Sequence, residues 1–256
     1  MHLVTRFAAL ALLLIAGSVH AEKFTVAAAA DLKFCMDELV ATYQREHAGV
    51  QIDVSYGSSG NFATQIEQGA PFDLFFSADV SYPRALQQKG LTGGEPSVYA
   101  IGRLVLWSAT RDATKLSVAD LAHADIGKVA IANPQHAPYG KRAEEALHAA
   151  GVWEAVQPKL VLGENIAQTA QFAASGNADV GLIALSLALN PELARQGGYA
   201  LVPESLHQPL QQAFVLTQHG ADNVAAKAFA EYVQGAPARA LMASYGFALP
   251  GETPPR

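Results

Sequence analysis

The feature that most restricts the fold is a regular alternation of short apolar runs with amphipathic segments. Lys23–Ala29 has the composition of a buried strand, and the segment after it places apolar residues at i, i+3, i+4 and i+7, the spacing of one helix face. Val50–Tyr56 alternates apolar and polar residues, as a half-buried strand does. Because the pattern recurs to Ser244, it predicts an α/β fold with parallel sheets and helices on both faces.

The same alternation of apolar runs and amphipathic segments predicts the remaining elements. Further strands are expected at Leu74–Phe76, Leu104–Trp107, Val129–Ala132, Leu160–Leu162, Val180–Ile183 and Ala213–Leu216. Further helices are expected at Asn61–Gln68, Lys141–Ala150, Val224–Val233 and Ala238–Ser244.

The loops that follow these strands are the candidate binding elements, because ligands of α/β sheets sit where strand carboxyl ends lead into helix N-termini. Five such loops are Ala30-Asp31, Gly57–Gly60, Pro134–Gly140, Gly163–Asn165 and Ala184–Ser186. Each offers free backbone N–H groups and the positive end of a helix dipole. Together they predict a site for a compact dianion that needs no cation.

The N-terminus has the features of a secretory signal. Arg6 is the only charged residue before an apolar and small-residue run, Phe7–Gly17, and Val19-His20-Ala21 provides small residues for cleavage after Ala21. The apolar run is shorter than the ~20 residues that span a bilayer, which disfavours a membrane anchor. No cysteine at the cut offers a lipid attachment point. We therefore expect residues 1–21 to be removed and the mature chain to be soluble in the periplasm.

Charge and composition restrict the classes of partner and the source of stability. The formal net charge of −6 becomes −7 once the +1 of the signal is removed, and the absence of a Lys/Arg cluster argues against nucleic acid. Cys35 is the single cysteine, so stability must come from a hydrophobic core and not from disulfides. The 235 residues after Ala21 are long enough to build such a core and are expected to form two lobes. The chain is expected to be a monomer.

Catalytic motifs are missing from the sequence. No P-loop, G-x-G-x-x-G, H-E-x-x-H or C-x-x-C occurs, and the G-S-S-G of Gly57–Gly60 is not the G-x-S-x-G of a nucleophile elbow. A hydrolase is therefore disfavoured.

Four sequence blocks resemble one family. Ala27–Leu32 (AAAADL) resembles an AAASL opening, and Tyr56–Gly60 with Gln65–Asp79 (YGSSG, QIEQGAPFDLFFSAD) resembles that family's most recognisable block. Pro134–Gly140 (PQHAPYG) resembles a PEHVPAG loop, and Tyr245-Gly246-Phe247 a C-terminal block. Because the blocks occur in order over essentially the whole mature chain, the sequence is similar to the periplasmic molybdate-binding proteins that serve ABC importers.

The resemblance implies a fold of the type II periplasmic-binding-protein kind, with two α/β lobes that close on an anion. The first lobe would comprise residues 22–102 and 213–256, and the second residues 103–212. The implied ligand is molybdate or tungstate, the implied partner is an ABC permease in the inner membrane, and no cofactor or bare metal cation is implied.

Ligand positions are implied residue by residue. Ser59 matches a serine whose hydroxyl and N–H meet the oxyanion, while Tyr139 and Ile166 match backbone N–H donors; molybdenum would be held as the oxyanion at Ser59 and Ile166. Two positions depart from the family pattern: Asp31 stands where a serine donates, and Ala184 where a tyrosine hydroxyl usually reaches in. An ionised Asp31 beside a dianion would be repulsive, by about 4 kcal/mol for two unit charges ~4 Å apart at an effective dielectric of ~20.

Several of these residues also have structural interpretations. Asp31 can be a helix N-cap, the role favoured here, or can face the anion, or can accept a hydrogen bond from a protonated ligand. Ser58 and Ser59 can be turn residues, although the family block favours a binding role for Ser59, on a cleft-facing loop where loss of the hydroxyl leaves stability almost unchanged. Tyr139 can pack in the core or supply the hydroxyl missing at Ala184.

Two further residues have a structural role as the favoured interpretation. His136 is expected to stabilise its loop, since it lies between Pro134 and Pro138, and Cys35 is expected in the core.

Three other functions stay open at this level. The site can take another small oxyanion or a polar solute, an alternative raised by Asp31 and Ala184. A sensor subunit that reports ligand occupancy to a membrane receptor would have the same sequence features. A periplasmic enzyme is the remote alternative, because no paired acid–base or nucleophile motif is found.

Overall fold

The computed structural model describes residues 22–251, which form two five-stranded sheets flanked by helices. The predicted signal, residues 1–21, lies outside the described residues. Within 22–251, no helix combines the length and the apolar character needed to cross a bilayer.

The strands follow the predicted order with two additions, β4 and β9. The strands are β1 (Glu22–Ala29), β2 (Val50–Gly57), β3 (Leu74–Ser77), β4 (Ser97–Gly102), β5 (Leu104–Ser108), β6 (Val129–Ala132), β7 (Leu160–Gly163), β8 (Val180–Ala184), β9 (Gly198–Leu201) and β10 (Leu210–Leu216). The α-helices are α1 (Lys33–Glu46), α2 (Ser59–Glu67), α3 (Ser81–Gln88), α4 (Pro138–Ala149), α5 (Trp153–Val156), α6 (Ile166–Ala174), α7 (Leu185–Ala188), α8 (Pro191–Gln196), α9 (Val224–Gln234) and α10 (Ala236–Ser244). Short 3-10 turns complete the set at Ala30–Leu32, Ala113–Lys115, Val118–Ala122, Gln157–Lys159 and Glu204–Leu206.

Both sheets are mixed, whereas the sequence pattern predicted parallel sheets. The first has the order β2-β1-β3-β10-β4 and the second β7-β6-β8-β5-β9. Strands β1, β2 and β3 are parallel, as are β6, β7 and β8, but β10 runs against β3 and β4, and β5 runs against β8 and β9. The antiparallel strands β5 and β10 are those that follow a crossing from the other sheet.

The chain crosses between the sheets twice. Arg103 alone separates β4 from β5, and residues 202–209 separate β9 from β10. The lobe limits at residues 102 and 213 stay a prediction. Strand β10 begins at Leu210, three residues before the predicted start, so that Gln212 belongs to a strand of the first sheet.

Burial of the predicted helix face explains α1. Its buried residues are Cys35, Met36, Leu39, Val40 and Tyr43, the spacing that the sequence predicts. The core position of Cys35 is confirmed at 1% exposure, and burial raises the pKa of its thiol to about 12. Apolar packing therefore fixes α1 against the first sheet, with its start at the carboxyl end of β1.

Candidate functional site

A small cavity of about 10 Å³ lies where the carboxyl ends of strands from both sheets meet. The first sheet contributes the ends of β1, β2 and β3, and the second contributes the starts of α4 and α6. The lining residues are Ala29, Ala30, Asp31, Gly57, Ser58, Ser59, Ala78, Ala137, Pro138, Tyr139 and Ile166. The position is the one that α/β topology predicts for a ligand.

Five of the six predicted site residues line this cavity: Asp31, Ser58, Ser59, Tyr139 and Ile166. The sixth, Ala184, is buried at the end of β8 and does not line it. Their assignment to oxyanion binding stays a prediction, but the tertiary structure brings five of them together.

Ser59 is the first residue of α2, which begins two residues earlier than predicted, and Ser58 precedes it in an extended conformation. The Ser59 hydroxyl oxygen accepts the Ala78 N–H at 3.0 Å, and Ser59 is fully buried. The hydroxyl hydrogen is left for a second acceptor. Ser59 thus lies in a helix and not on the predicted cleft-facing loop. Because its oxygen accepts a buried N–H, we expect the hydroxyl to contribute to stability as well as to binding.

Three backbone N–H groups are placed as donors by helix starts. Ser59, Tyr139 and Ile166 each occupy the first or second position of a helix, where an N–H has no intrahelical partner. Among the described residues, no protein acceptor takes these three N–H groups. At α6 the Asn165 side chain caps the next two N–H groups, and so leaves that of Ile166 available.

Asp31 does not cap a helix, so the capping interpretation is wrong. It lies within the 3-10 turn Ala30–Leu32, and neither this turn nor α1 has a side-chain cap. Asp31 is 1% exposed, and its Oδ2 accepts the Tyr139 hydroxyl at 3.1 Å and Gln212 Nε2 at 2.5 Å. The other oxygen, Oδ1, is buried without a hydrogen-bond partner.

The partners of Asp31 form a buried polar network that sequence reasoning missed. Gln212 lies in β10, and its Oε1 accepts the Tyr99 hydroxyl at 2.6 Å. Gln212 Nε2 is also 3.2 Å from the Tyr139 hydroxyl. The feature of the sequence that could have indicated this network is Gln212, which directly precedes the apolar run Ala213–Leu216. Its partners are distant in the sequence, which spacing arguments do not detect.

Burial chiefly raises the pKa of Asp31, to about 6, against the opposing effect of the hydrogen bonds from Gln212 and Tyr139. Burial and the nearby Asp31 hold the pKa values of Tyr139 and Tyr99 well above the ordinary value. Both tyrosines therefore stay neutral hydroxyl donors. The Tyr139 hydroxyl donates its hydrogen to Asp31. This contact disfavours the hypothesis that Tyr139 supplies the hydroxyl missing at Ala184.

Direct contacts between the half of the molecule built on the first sheet and the half built on the second enclose the cavity. The Gly60 N–H donates to the His136 carbonyl at 2.9 Å, Ser58 Oγ lies 2.9 Å from His136 Nδ1, and Asn61 Nδ2 donates to Glu164 Oε1 at 2.7 Å. His136 thus joins its loop to α2 and does not line the cavity.

On another side of the cavity, Arg142 of α4 forms an ion pair with Asp79 at 2.8 Å, with both side chains largely buried. Ser186 donates its hydroxyl to the Asp31 carbonyl at 2.7 Å. The structure is therefore a closed form in which both sheets contribute to one enclosed site.

No group of three or more His, Cys, Asp or Glu side chains in the described ranges could hold a metal ion. The donors at the cavity are instead N–H and O–H groups, which suit an anion.

Comparison with known proteins places this chain. The profile of the bacterial extracellular solute-binding proteins matches residues 24–248. The molybdate-binding protein ModA of Azotobacter vinelandii is 37% identical over 237 residues, which are 92% of this chain and 94% of that protein. The chain belongs to the molybdate-binding protein family. ModA of Rhodobacter capsulatus is 41% identical over 207 residues, 79% of each chain.

The fold of this family member matches solved structures. The periplasmic molybdate-binding protein of Azotobacter vinelandii superposes with a TM-score of 0.83 at 31% identity, covering 89% of this chain and 99% of that one. The two-lobed fold of the periplasmic-binding-protein kind is thereby confirmed. The sulfate-binding protein SubI of Mycobacterium tuberculosis, at 17% identity and a TM-score of 0.73, shares the fold alone.

Proposed function

We propose that this solute-binding protein captures molybdate, or tungstate, in the periplasm and delivers it to an ABC importer in the inner membrane. The observation that carries the proposal is the convergence of the α2, α4 and α6 starts on one buried cavity, with the N–H groups of Ser59, Tyr139 and Ile166 without protein acceptors. Helix starts of this kind bind compact anions through backbone donors and helix dipoles. The molybdate-binding relatives support the identity of the anion.

The remaining parts of the proposal follow from the same role. The protein acts as a monomer, needs no cofactor, binds no nucleic acid and catalyses no reaction. Its export signal would be cleaved after Ala21, which leaves the mature chain free in the periplasm. Relatives that are named as binding proteins, and not as enzymes, support this role.

A thermal-shift panel on residues 22–256 tests the substrate. Molybdate and tungstate should raise the melting temperature, because a ligand that binds only the folded state stabilises it by about 2.7 kcal/mol at one hundred times Kd. Sulfate, phosphate, chromate and arsenate should have smaller effects at equal concentration. If no oxyanion of the panel shifts the melting temperature, the proposed substrate is wrong.

A second candidate is a protonated oxyanion, such as hydrogen phosphate or hydrogen arsenate, and Asp31 is the observation that favours it. An ionised Asp31 could accept a hydrogen bond from such a ligand through Oδ1, which has no protein partner. The same panel separates the two candidates, since phosphate and arsenate would then stabilise the protein more than molybdate does.

A further inference from the structure

Asp31 raises an electrostatic problem for the proposed function. Its side chain is 1% exposed, it lines the cavity, and none of the ion pairs found between residues 22 and 251 involves it. An ionised carboxylate at this place would face a bound dianion without a cation to compensate either charge. A proton must therefore lie on the carboxyl group or on the anion.

The hydrogen bonds of the carboxyl group identify the oxygen that can carry a proton. Oδ2 already accepts from Tyr139 and Gln212, so its acceptor capacity is used by two donors. Oδ1 has no partner among the described atoms. In the protonated form Oδ1 becomes an O–H donor, whereas in the ionised form it is a buried acceptor that lacks a donor.

We propose, on the basis of the proposed function, that Asp31 takes up one proton on Oδ1 when molybdate binds and donates a hydrogen bond from it to a molybdate oxygen. The proton comes from solvent, the anion stays a bare dianion, and no covalent bond changes. The complex then carries one negative charge fewer than the free carboxylate and the free anion carry together. Asp31 is thus the residue that couples anion capture to proton capture.

The other titratable groups at this place do not compete for the proton. Burial holds the pKa values of Tyr99 on β4 and Tyr139 on α4 well above the ordinary value and raises that of Cys35 on α1 to about 12, so all three stay neutral. Gln212 on β10 does not titrate. His136 contacts Ser58 and does not line the cavity, and a variant at this position tests its part in proton uptake.

The direction of the pH dependence follows from the pKa of Asp31, about 6, in the unliganded protein. The bound dianion raises this pKa further, because it disfavours the charged carboxylate. Well below pH 6 the proton is already present and binding takes up none. Above pH 6 each capture takes up nearly one proton, so Kd rises by about tenfold per pH unit until the pKa of the complex is reached.

Calorimetric titration with molybdate tests the proposal on the mature chain, at pH 7.5 in HEPES and in Tris, whose ionisation enthalpies differ. The wild type should take up close to one proton per molybdate. Asp31→Asn keeps an acceptor for Tyr139 and Gln212 and offers an amide donor in place of the protonated Oδ1. It should take up none, bind at least as tightly as the wild type, and lose the pH dependence between pH 6.5 and 8.5.

Matched variants locate the proton. Asp37→Asn removes the same charge from an exposed position on α1, where Asp37 pairs with Lys33, and should keep the wild-type uptake. His136→Gln should keep it as well. Uptake that persists in Asp31→Asn, or that disappears in His136→Gln alone, would overturn the proposal.

Two other outcomes would also overturn it. Molybdate binding by the wild type without proton uptake would show that Asp31 is not coupled to capture, although the proposed function would stand. Loss of binding in Asp31→Asn, with tight binding of arsenate by the wild type, would place the proton on the ligand. Failure of the wild type to bind molybdate would instead contradict the proposed function itself.

Infrared difference spectroscopy provides a test without a variant, in case Asp31→Asn folds poorly. Addition of molybdate to the wild type at pH 7.5 should produce the C=O stretch of a protonated carboxyl group. Its absence would contradict proton uptake by Asp31.

Discussion

The buried side chains of Ser59 and Asp31 both line the cavity but differ in which atom they leave without a protein partner. Ser59 accepts one N–H and keeps a hydroxyl hydrogen, so it can donate to an anion at neutral pH without any proton uptake. Asp31 keeps an oxygen atom, and can donate only after protonation. At the residue scale, Ser59 is therefore expected to supply affinity at every pH, and Asp31 to make affinity depend on pH.

Ser59→Ala should reduce both affinity and stability. It removes one hydrogen bond to a charged acceptor, worth roughly 1.5–3 kcal/mol, or about tenfold or more in Kd. It also leaves the Ala78 N–H buried without its acceptor, which costs about 1–3 kcal/mol of the free energy of unfolding. Calorimetric titration with molybdate and urea unfolding of the unliganded protein measure the two effects.

The matched control is Ser108→Ala. Ser108 is equally buried and accepts the N–H groups of Thr110 and Arg111, but does not line the cavity. It should lose stability and keep affinity. A Ser59→Ala protein with unchanged affinity would remove Ser59 from the site.

At the scale of elements, the helices α2 and α4 approach each other closely from opposite sides of the cavity. The contact is between Gly60, in the first turn of α2, and the loop before α4. A Cβ atom at Gly60 would lie 2.7 Å from the His136 carbonyl oxygen, which is too close for any real contact. Glycine is needed here so that the closed arrangement can form, because the helix itself would be more stable with alanine.

Gly60→Ala should therefore weaken ligand binding without destabilising the unliganded protein. Overpacking at the His136 carbonyl costs about 1–3 kcal/mol of the closed form, or roughly 5- to 150-fold in affinity. Opening of the cleft relieves this contact, and the alanine adds up to ~1 kcal/mol of helix propensity. Titration with molybdate, together with thermal unfolding without ligand, measures both.

Gly94→Ala is the control, since a Cβ at Gly94 meets no atom within 4 Å. It should change neither quantity appreciably. If Gly60→Ala binds molybdate as the wild type does, the contact with His136 is not part of the ligand-bound form.

At the scale of the whole molecule, the two halves are joined by few covalent crossings and by polar contacts around the cavity. Among the ion pairs within residues 22–251, Arg142–Asp79 is the most buried, with side chains 9% and 14% exposed. Arg142 also pairs with Glu145 on its own helix. In the closed form both charges are buried, and each would be costly there without the other. Opening would expose Arg142 and Asp79 to water, where neither charge needs a partner.

Arg142→Gln should shift the protein toward an open form and weaken molybdate binding. Loss of one partner of a buried charge pair costs about 2–5 kcal/mol in the closed state, a cost that opening partly avoids. The radius of gyration of the unliganded protein, measured by small-angle X-ray scattering, should rise, and molybdate at high concentration should restore the wild-type value.

Arg111→Gln is the matched control. Arg111 pairs with Asp125 within the half of the molecule that holds the second sheet, and the Asp125 side chain is 67% exposed, so solvent should screen the pair and loss of Arg111 should have little effect. Equal scattering and equal affinity for Arg142→Gln and the wild type would show that this pair does not hold the lobes closed.

Local sequence patterns determined much of the secondary structure of this protein and the location of its binding loops. The apolar spacing of α1 and the alternation of β2 follow from helix and strand periodicity, and the start of α4 at Pro138 falls within a loop recognised from the sequence. Because loops at strand carboxyl ends lead into helices, the pattern placed the loops Gly57–Gly60, Pro134–Gly140 and Gly163–Asn165 near a common site. The family resemblance then singled out Ser59, Tyr139 and Ile166. Strands β4 and β9 escaped prediction, since neither has a clear alternation of apolar and polar residues.

Only the tertiary structure decided the hydrogen-bond partners of Asp31. As a helix-start residue it reads locally as a cap, yet its hydrogen-bond donors lie 108 positions away at Tyr139 and 181 positions away at Gln212. Tyr139 reaches it only because the two halves close on each other, and Gln212 only because β10 returns to the first sheet. Spacing along the chain carries no information on contacts of that kind, because they depend on how separate elements pack in space.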